Sequence, residues 1–439
     1  MTPFAIDKQT LEELNLLGKF RSGSVYSIYS HTKTRGGERM LEHMFKHPLT
    51  EADAINHRSS VLQFFQQAGR RFPFDAQQVN AMREYLDTRT SKYPLFVYVN
   101  TVIKRALSSL VRDERFKKNV QGLQATILTL NKCFDFIGSF DLRKGPFDER
   151  MKEVKDILAD RQIERIRHTD IYQALTPKTL ALYDTVLKGR FHRQMETILS
   201  FIYEVDIYIA VSEVAERKGF CYAKALAPET NVLSATGVFH PAIPHAVGNN
   251  LRMDQHMNVL FLTGANMAGK STLMKSIGVS LYLAHLGFPV AADSMEFSVR
   301  EGLYTSINVA DDIGRGYSHF YAEVVRVKRA AEAAAAGKRL LLVFDELFKG
   351  TNVKDAFDGT LAVTEGFARY QQCLFIVSTH IIEVGEALKG RANIHFTYMP
   401  TEMDGPHPRY PYQLKEGITE DRQGMMIIKN EGILDLLDG

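Results

Sequence analysis

The stretch FLTGANMAGKSTLMK, residues 261–275, carries the spacing G-x-x-x-x-G-K-[ST] at Gly264, Gly269, Lys270 and Ser271. Glycines so spaced let the backbone wrap around phosphates, with successive N–H groups and the next helix N-terminus facing the negative charge. Lys270 would reach the β- and γ-phosphates, and the Ser271 hydroxyl would hold magnesium. Downstream, RLLLVFDELFKGT (339–351) is an apolar strand ending in Asp345 and Glu346. Carboxylates at a strand tip suit a metal, held directly or through water by Asp345, and a general base or water-orienting group at Glu346. LFIVSTHIIEV (374–384) is another apolar strand, ending in Ser378, Thr379 and His380. Alone, such a histidine is more often a satisfied loop residue; beside the other motifs, His380 is read as sensing the γ-phosphate or orienting water.

Between these lies NVADDIGRGYSHFYAEV (308–324), where Gly314 and Gly316 precede Ser318 and a helical pattern follows. A serine opening a helix is usually an N-cap. A second glycine-rich helix N-terminus is also a second anion site, and one nucleotide does not need both from one subunit. ATP sandwiched between two subunits, one offering Lys270 and the other Ser318, satisfies both observations.

These residues need elements to position them, and the chain's texture changes near Gly219. Before it, amphipathic spacing dominates: DKQTLEELNLL puts Leu11, Leu14 and Leu17 on one stripe, and TLALYDTVLKGRFHRQMETILSFIYEVDIYIAVSEVAERKG reads as one long helix. After it, short β-rich runs alternate with helices, and Leu340–Phe344 and Leu374–Val377 suit parallel strands covered on both faces. The expected fold is an all-α domain over 1–220 followed by an α/β domain over 221–439.

Composition narrows the classes. The 439 residues are 45% hydrophobic and 24% charged with 14 prolines, which excludes disordered and fibrous chains. The net charge of +3 is too small to argue for a polyanionic partner, so any nucleic-acid contact must rest on local clusters. Cys133, Cys221 and Cys373 are odd in number and unpatterned, as expected of thiols in a reducing cytoplasm. No run approaches the roughly 18 apolar residues of a membrane span, and the N-terminus lacks the pattern of a secretory signal.

Taken together, TGANMAGKST, ADDIGRGYSHFYAEV, LLLVFDELFKGTN and STHIIE resemble, in order and spacing, the MutS family of DNA mismatch-repair ATPases, a branch of the ABC-type ATPases. The closing YQLKEGITEDRQGMMIIKNEGIL, the opening IDKQTLEELNL with SHTKTRGGERMLEHMFKHPLTEADAINHRSSVLQFF, and EVDIYIAVSEVAERKGFCYAKAL are similar too, so the likeness spans about 5–435. It implies an ABC-type P-loop ATPase domain preceded by a helical core/lever domain with a shortened clamp. It assigns nucleotide contacts to Gly264, Ala265, Asn266, Met267, Ala268, Gly269, Lys270, Ser271, Thr272 and Ser318. Ser271 and Asp345 become the magnesium ligands, Glu346 and His380 the catalytic pair, and Asp355 an inter-subunit aspartate.

Departures from the family pattern are local. Ala265 and Ala268 replace a proline and a glycine, and only a required positive φ at 268 would penalise alanine. Val247 stands near the usual adenine-facing aromatic residue, and LFKGTN replaces IGRGTS. The likeness begins at the family's core domain, so no wedge for reading a mismatch is expected in this sequence. The best candidate DNA surface is KRALSSLVRDERFKKN, with Lys104, Arg105, Arg112, Arg115, Lys117 and Lys118; RQIERIRH (161–168) is a weaker cluster. The expected protein is therefore a cytoplasmic homodimer with composite sites for ATP and Mg2+, switching a helical clamp on double-stranded or branched DNA. A DNA-independent scaffold ATPase whose arms hold a protein is the alternative, and a transporter subunit fits the long helical half poorly.

Overall fold

The computed structural model describes residues 3–18, 23–88, 102, 114–143, 145–173, 175–307, 319–404, 407–419 and 436. The chain forms two units, one of Met1–Tyr29, Phe45–Ser59 and Val214–Gly439 and one of Ser30–Met44 and Ser60–Glu213.

The first unit is built on a seven-stranded sheet in the order β1 (Ala5–Ile6), β9 (Gly302–Ser306), β10 (Leu340–Asp345), β11 (Leu374–Ser378), β6 (Val259–Gly264), β12 (Ile394–Met399) and β15 (Lys415–Glu416). All its pairings are parallel except β12 with β15. Every residue of β6, β10 and β11 is buried, which is why these strands read as unbroken apolar runs. A four-stranded sheet orders β3 (Lys224–Leu226), β8 (Ser294–Ser298), β4 (Leu233–Val238) and β5 (Asn249–Met253). Two smaller pairs join β2 (Cys221–Tyr222) to β7 (Pro289–Val290) and β13 (Glu402–Asp404) to β14 (His407–Arg409).

Its helices include α1 (Lys8–Glu13), α2 (Val25–Tyr29), α11 (Lys270–His285), α12 (His319–Ala335), α13 (Val353–Ala368) and α14 (Ile382–Leu388). The alanine-rich α12 stops at Gly337, whose φ of 83° needs no Cβ, while the Gly337 and Lys338 N–H groups bond back to Ala334 and Ala333.

The first residues of the chain group with the α/β half rather than with the helices that follow them. β1 adds an edge strand to β9, and Asp7 caps α1 by accepting from the Thr10 N–H at 2.8 Å. Arg326 of α12 then donates to Asp7, Gln9 and Thr10, and to the Thr305 carbonyl. The leucine stripe shows that this segment has an apolar face; it does not show which core buries it.

The second unit holds most of α3 (Arg35–Lys46), α4 (Ala52–Ala68) and α10 (His192–Lys218), with α5 (Ala76–Asp87), α6 (Glu114–Gly138), α7 (Asp148–Leu158), α8 (Arg161–Arg167) and α9 (Pro177–Thr185) entire. Phe65, Phe74, Phe136, Phe147 and Phe201 lie in its core. Asp206 of α10 accepts from the Lys33 and Thr34 N–H groups at 2.8 and 2.7 Å, closing the start of α3. Gly37 allows that approach, since a Cβ there would lie 2.5 Å from the Asp206 carboxylate.

The long helix expected from Thr179 to Gly219 is interrupted. Val186–Arg190 is a π-turn, closed by the Phe191 N–H on the Val186 carbonyl at 2.8 Å. Tyr85 and Asn119 donate to Asp184, and the Lys188 ammonium bonds Thr88 and Asn119 above the Tyr85 ring. This buried polar cluster surrounds the wider turn, and hydrophobic periodicity carries no trace of it. No helix among the described residues is long and apolar enough to cross a membrane.

His285, closing α11, is fully buried; its Nδ1 lies 2.7 Å from the Leu49 carbonyl and its Nε2 accepts from the Arg300 N–H. Burial, against the Leu49 bond and helped by Arg300, pushes its pKa down to about 4. The unfolded chain therefore takes up a proton below about pH 6.5 that the fold refuses. Stability should fall by about 2 kcal/mol between pH 6.5 and 5 through this group alone. Denaturant unfolding of wild type and His285→Gln across that range tests this: the wild type alone should show the added slope.

Candidate functional site

The glycine-bearing loop 264–269 leaves the C-terminal end of β6, Glu346 follows β10 and His380 follows β11; these strands are neighbours in the order β10-β11-β6. In open parallel sheets, ligands bind beyond the carboxyl ends of the strands. There the structure has a cavity of about 590 Å³, lined by Asn266, Met267, Gly269, Lys270, Ser271, Thr272 and Glu346 together with Val247 and Tyr412.

Two glycines shape the loop. Gly264 has φ 140°, and a Cβ on it would lie 2.7 Å from the Met399 carbonyl oxygen; Gly269, at φ 101°, opens α11. The left-handed residue between them is Met267, at φ 72°, rather than Ala268, so alanine at 268 meets no such penalty. Ala268 is fully buried and its N–H bonds the Ala265 carbonyl at 3.2 Å. Lys270, 5% exposed, folds its ammonium onto the Gly264 and Ala265 carbonyls at 2.9 and 3.1 Å. Burial pulls its pKa down, opposed by the nearby Asp345 and Glu346. A buried ammonium resting on two neutral carbonyls suits an anionic ligand.

Asp345 is the hub of the site. The Ser271 hydroxyl donates to one of its carboxylate oxygens and the Ser378 hydroxyl to the other. A serine hydroxyl beside a carboxylate, with phosphate oxygens to complete the set, is the all-oxygen donor chemistry that magnesium takes. Glu346, at φ 51°, has its N–H on the Ser378 carbonyl at 2.9 Å. Its carboxylate lies 3.9 Å from His380 Nδ1 and 3.7 Å from Lys349 Nζ. The structure thus brings Lys270, Ser271, Asp345, Glu346 and His380 to adjoining strand tips.

The sequence assigns no role to Tyr412 or Glu323, and it marks Ser378 only as part of a strand tip. Tyr412 lines the cavity next to the phosphate loop, where a Cβ on Gly269 would lie 3.0 Å from its ring. Asn249 anchors the Tyr412 segment, donating to the Tyr412 carbonyl at 3.0 Å and accepting from the Leu414 N–H at 2.7 Å. An aromatic face at that wall supplies what Val247 cannot offer a base. Glu323 of α12, 2% exposed, accepts from the Phe348 N–H at 3.0 Å, and burial raises its carboxyl to about 7 against that bond and Lys349. The aromatic pair Tyr410 and Tyr412 was the available hint for Tyr412 and the end of an apolar run for Ser378; Glu323 carries no sequence signal.

Ser318 lies outside the described residues, as do Lys104, Arg105, Arg112 and the side chain of Arg115. Lys117 and Lys118 are exposed on α6, and Lys118 pairs with Glu84 at 2.7 Å. Asp355 sits in the first turn of α13, its N–H capped by Asn352 at 2.9 Å. In the weaker cluster, Arg167 is internal: it bonds Asn131 and the Leu158 carbonyl and stacks 3.8 Å from the Phe134 ring.

Comparison with known proteins finds MutS domain III over residues 9–216 and MutS domain V over residues 260–435. The DNA mismatch repair protein MutS of Lactobacillus acidophilus is 26% identical over 316 residues, 66% of this chain and 36% of that protein. Those of Staphylococcus epidermidis and Persephonella marina are each 26% identical, over 74% and 64% of this chain and 39% and 31% of theirs. The chain thus spans between about a third and two fifths of the length of these relatives.

Asp345→Asn should weaken Mg2+-dependent binding of a fluorescent ATP analogue at least about tenfold and change binding in EDTA far less. Tyr412→Ala should cost roughly tenfold in affinity for adenine nucleotides, the worth of one stack, and leave inorganic triphosphate affinity unaltered. Equilibrium titrations with the two ligands separate these effects.

Proposed function

The chain belongs to the MutS family, and on that premise we propose that it binds and hydrolyses ATP with Mg2+ between two copies of itself, switching a helical clamp on DNA. The observation that carries the reading is the meeting of Lys270, Ser271, Asp345, Glu346 and His380 at the tips of β6, β10 and β11. The α/β half is read as an ABC-type P-loop ATPase domain over 221–439, and 1–220 as the core/lever region with its shortened clamp. The two domain matches fall within those halves.

Each residue has a task set by its chemistry. Backbone N–H groups between Gly264 and Thr272, including those of Ala265, Asn266 and Met267, face the phosphates, Ala268 closes the loop through its N–H on the Ala265 carbonyl, and Lys270 leaves its carbonyls for the β- and γ-oxygens. Ser271 and Asp345 hold the metal, which when bound supplies positive charge to the phosphate oxygens. Glu346 orients or deprotonates water, and His380 beside it senses the terminal phosphate or shares that water. Ser318 of each subunit completes the partner's site. ATP then favours one clamp arrangement over the other, and hydrolysis resets it.

DNA is contacted through phosphates by the basic stretch from Lys104 to Lys118, which gives affinity without sequence. The site lies in a repair or recombination protein of the cytoplasm, with mismatch repair the process named by its relatives.

Lys270→Ala should abolish turnover, and Ser318→Ala should slow it by at least about tenfold. An unaltered Ser318 variant sinks the composite site. Turnover measured with no DNA, homoduplex, mismatched duplex and a four-way junction identifies the preferred DNA. Binding should fall steeply with salt, and no DNA binding at low salt removes the clamp reading.

A further inference from the structure

The turn after the strand-end carboxylates is strained. Glu346 and Phe348 both adopt left-handed backbone, at φ 51° and 62°, which side chains bearing a Cβ hold only where their surroundings impose it. At Glu346 the Ser378 carbonyl imposes it. At Phe348 the constraint comes from Glu323, which takes the Phe348 N–H at 3.0 Å. The Phe348 ring lies edge-on to Phe320 at 6.0 Å, and a Cβ on Gly359 would lie 2.8 Å from that ring. Gly350 also sits close to α12, since a Cβ there would lie 3.3 Å from Phe320 Cβ. Turn 346–350 is therefore clamped to the first turns of the helix that follows the 308–318 segment.

Burying a carboxyl is costly unless the position needs what it offers. Lys349 pairs with Glu346 at 3.7 Å, and burial raises the Glu323 carboxyl more than the Phe348 bond and the Lys349 charge lower it, so the position supplies an acceptor more than a charge. We propose that Glu323 is a positioning residue for ATP hydrolysis: by holding the Phe348 N–H it fixes the turn that aims Glu346 into the cavity beside Lys270 and Ser271. This rests on the hydrolytic reading above. It adds that the aim of the carboxylate depends on the placement of α12, the helix that opens directly after Ser318.

The test uses the full chain. Glu323→Met keeps the volume and loses the acceptor, whereas Glu323→Gln keeps an oxygen able to accept the same N–H. Glu323→Met should lower kcat at least about tenfold while KM and the affinity for a non-hydrolysable ATP analogue stay within about threefold. Glu323→Gln should hold kcat within about threefold of wild type, and Glu323→Ala should repeat the Glu323→Met split. Thermal melts accompany each variant to separate aim from folding. Wild-type kcat in Glu323→Met, a KM rising in step with the loss, or a Glu323→Gln as impaired as Glu323→Met overturns the proposal. Wild-type protein that binds ATP without Lys270-dependent turnover overturns the hydrolytic reading as well. Lys270-dependent turnover with an unaltered Glu323→Met overturns this inference alone.

Discussion

The candidate site depends on one carboxylate and the two hydroxyls that hold it. Asp345 ends β10, Ser378 ends β11 in register with it, and Ser271 stands in the first turn of the helix after β6. Because β11 lies between β10 and β6, those two hydrogen bonds tie all three strand tips into one surface. A buried carboxylate without such donors would be expensive, so the polar contacts that ready the site also make the sheet end tolerable as structure. Lys270 solves the same problem differently, covering its ammonium with the carbonyls of its own loop. The apolar strands supply rigidity, and this small polar cap gathers the hydroxyl, carboxylate and ammonium groups at one end of the sheet.

What could be read from the sequence followed from local rules. Glycine spacing marked a tightly wrapped loop because such wrapping needs residues without a Cβ, and Gly264 and Gly269 do adopt positive φ. Unbroken runs such as Leu340–Phe344 announced buried parallel strands because both of their faces are covered. The carboxylates at Asp345 and Glu346 stood out since polar residues at the end of such a run have few other reasons to be there.

The remainder depends on pairings distant in sequence. Ser378 reaches Asp345 across 33 positions and Glu323 reaches Phe348 across 25, so neither role has a local pattern. Tyr412 joins the cavity only because Asn249 anchors its segment from 163 positions away. In the helical unit, periodicity extended a helix through Val186–Arg190, where the Asp184 and Lys188 cluster surrounds a wider turn. Arg167 read as a surface charge because composition cannot distinguish a solvated guanidinium from one stacked on Phe134.

The edge strand has a consequence in time. Ala5 pairs with Gly302, so this strand is made 297 residues (302 − 5) before the neighbour it pairs with. Until then Phe4, Leu14 and Leu16, all buried in the finished fold, have no core to enter. Non-local pairing of this kind slows folding and leaves apolar surface open meanwhile. Synthesis thus passes through a long interval in which the apolar side of this segment stays uncovered.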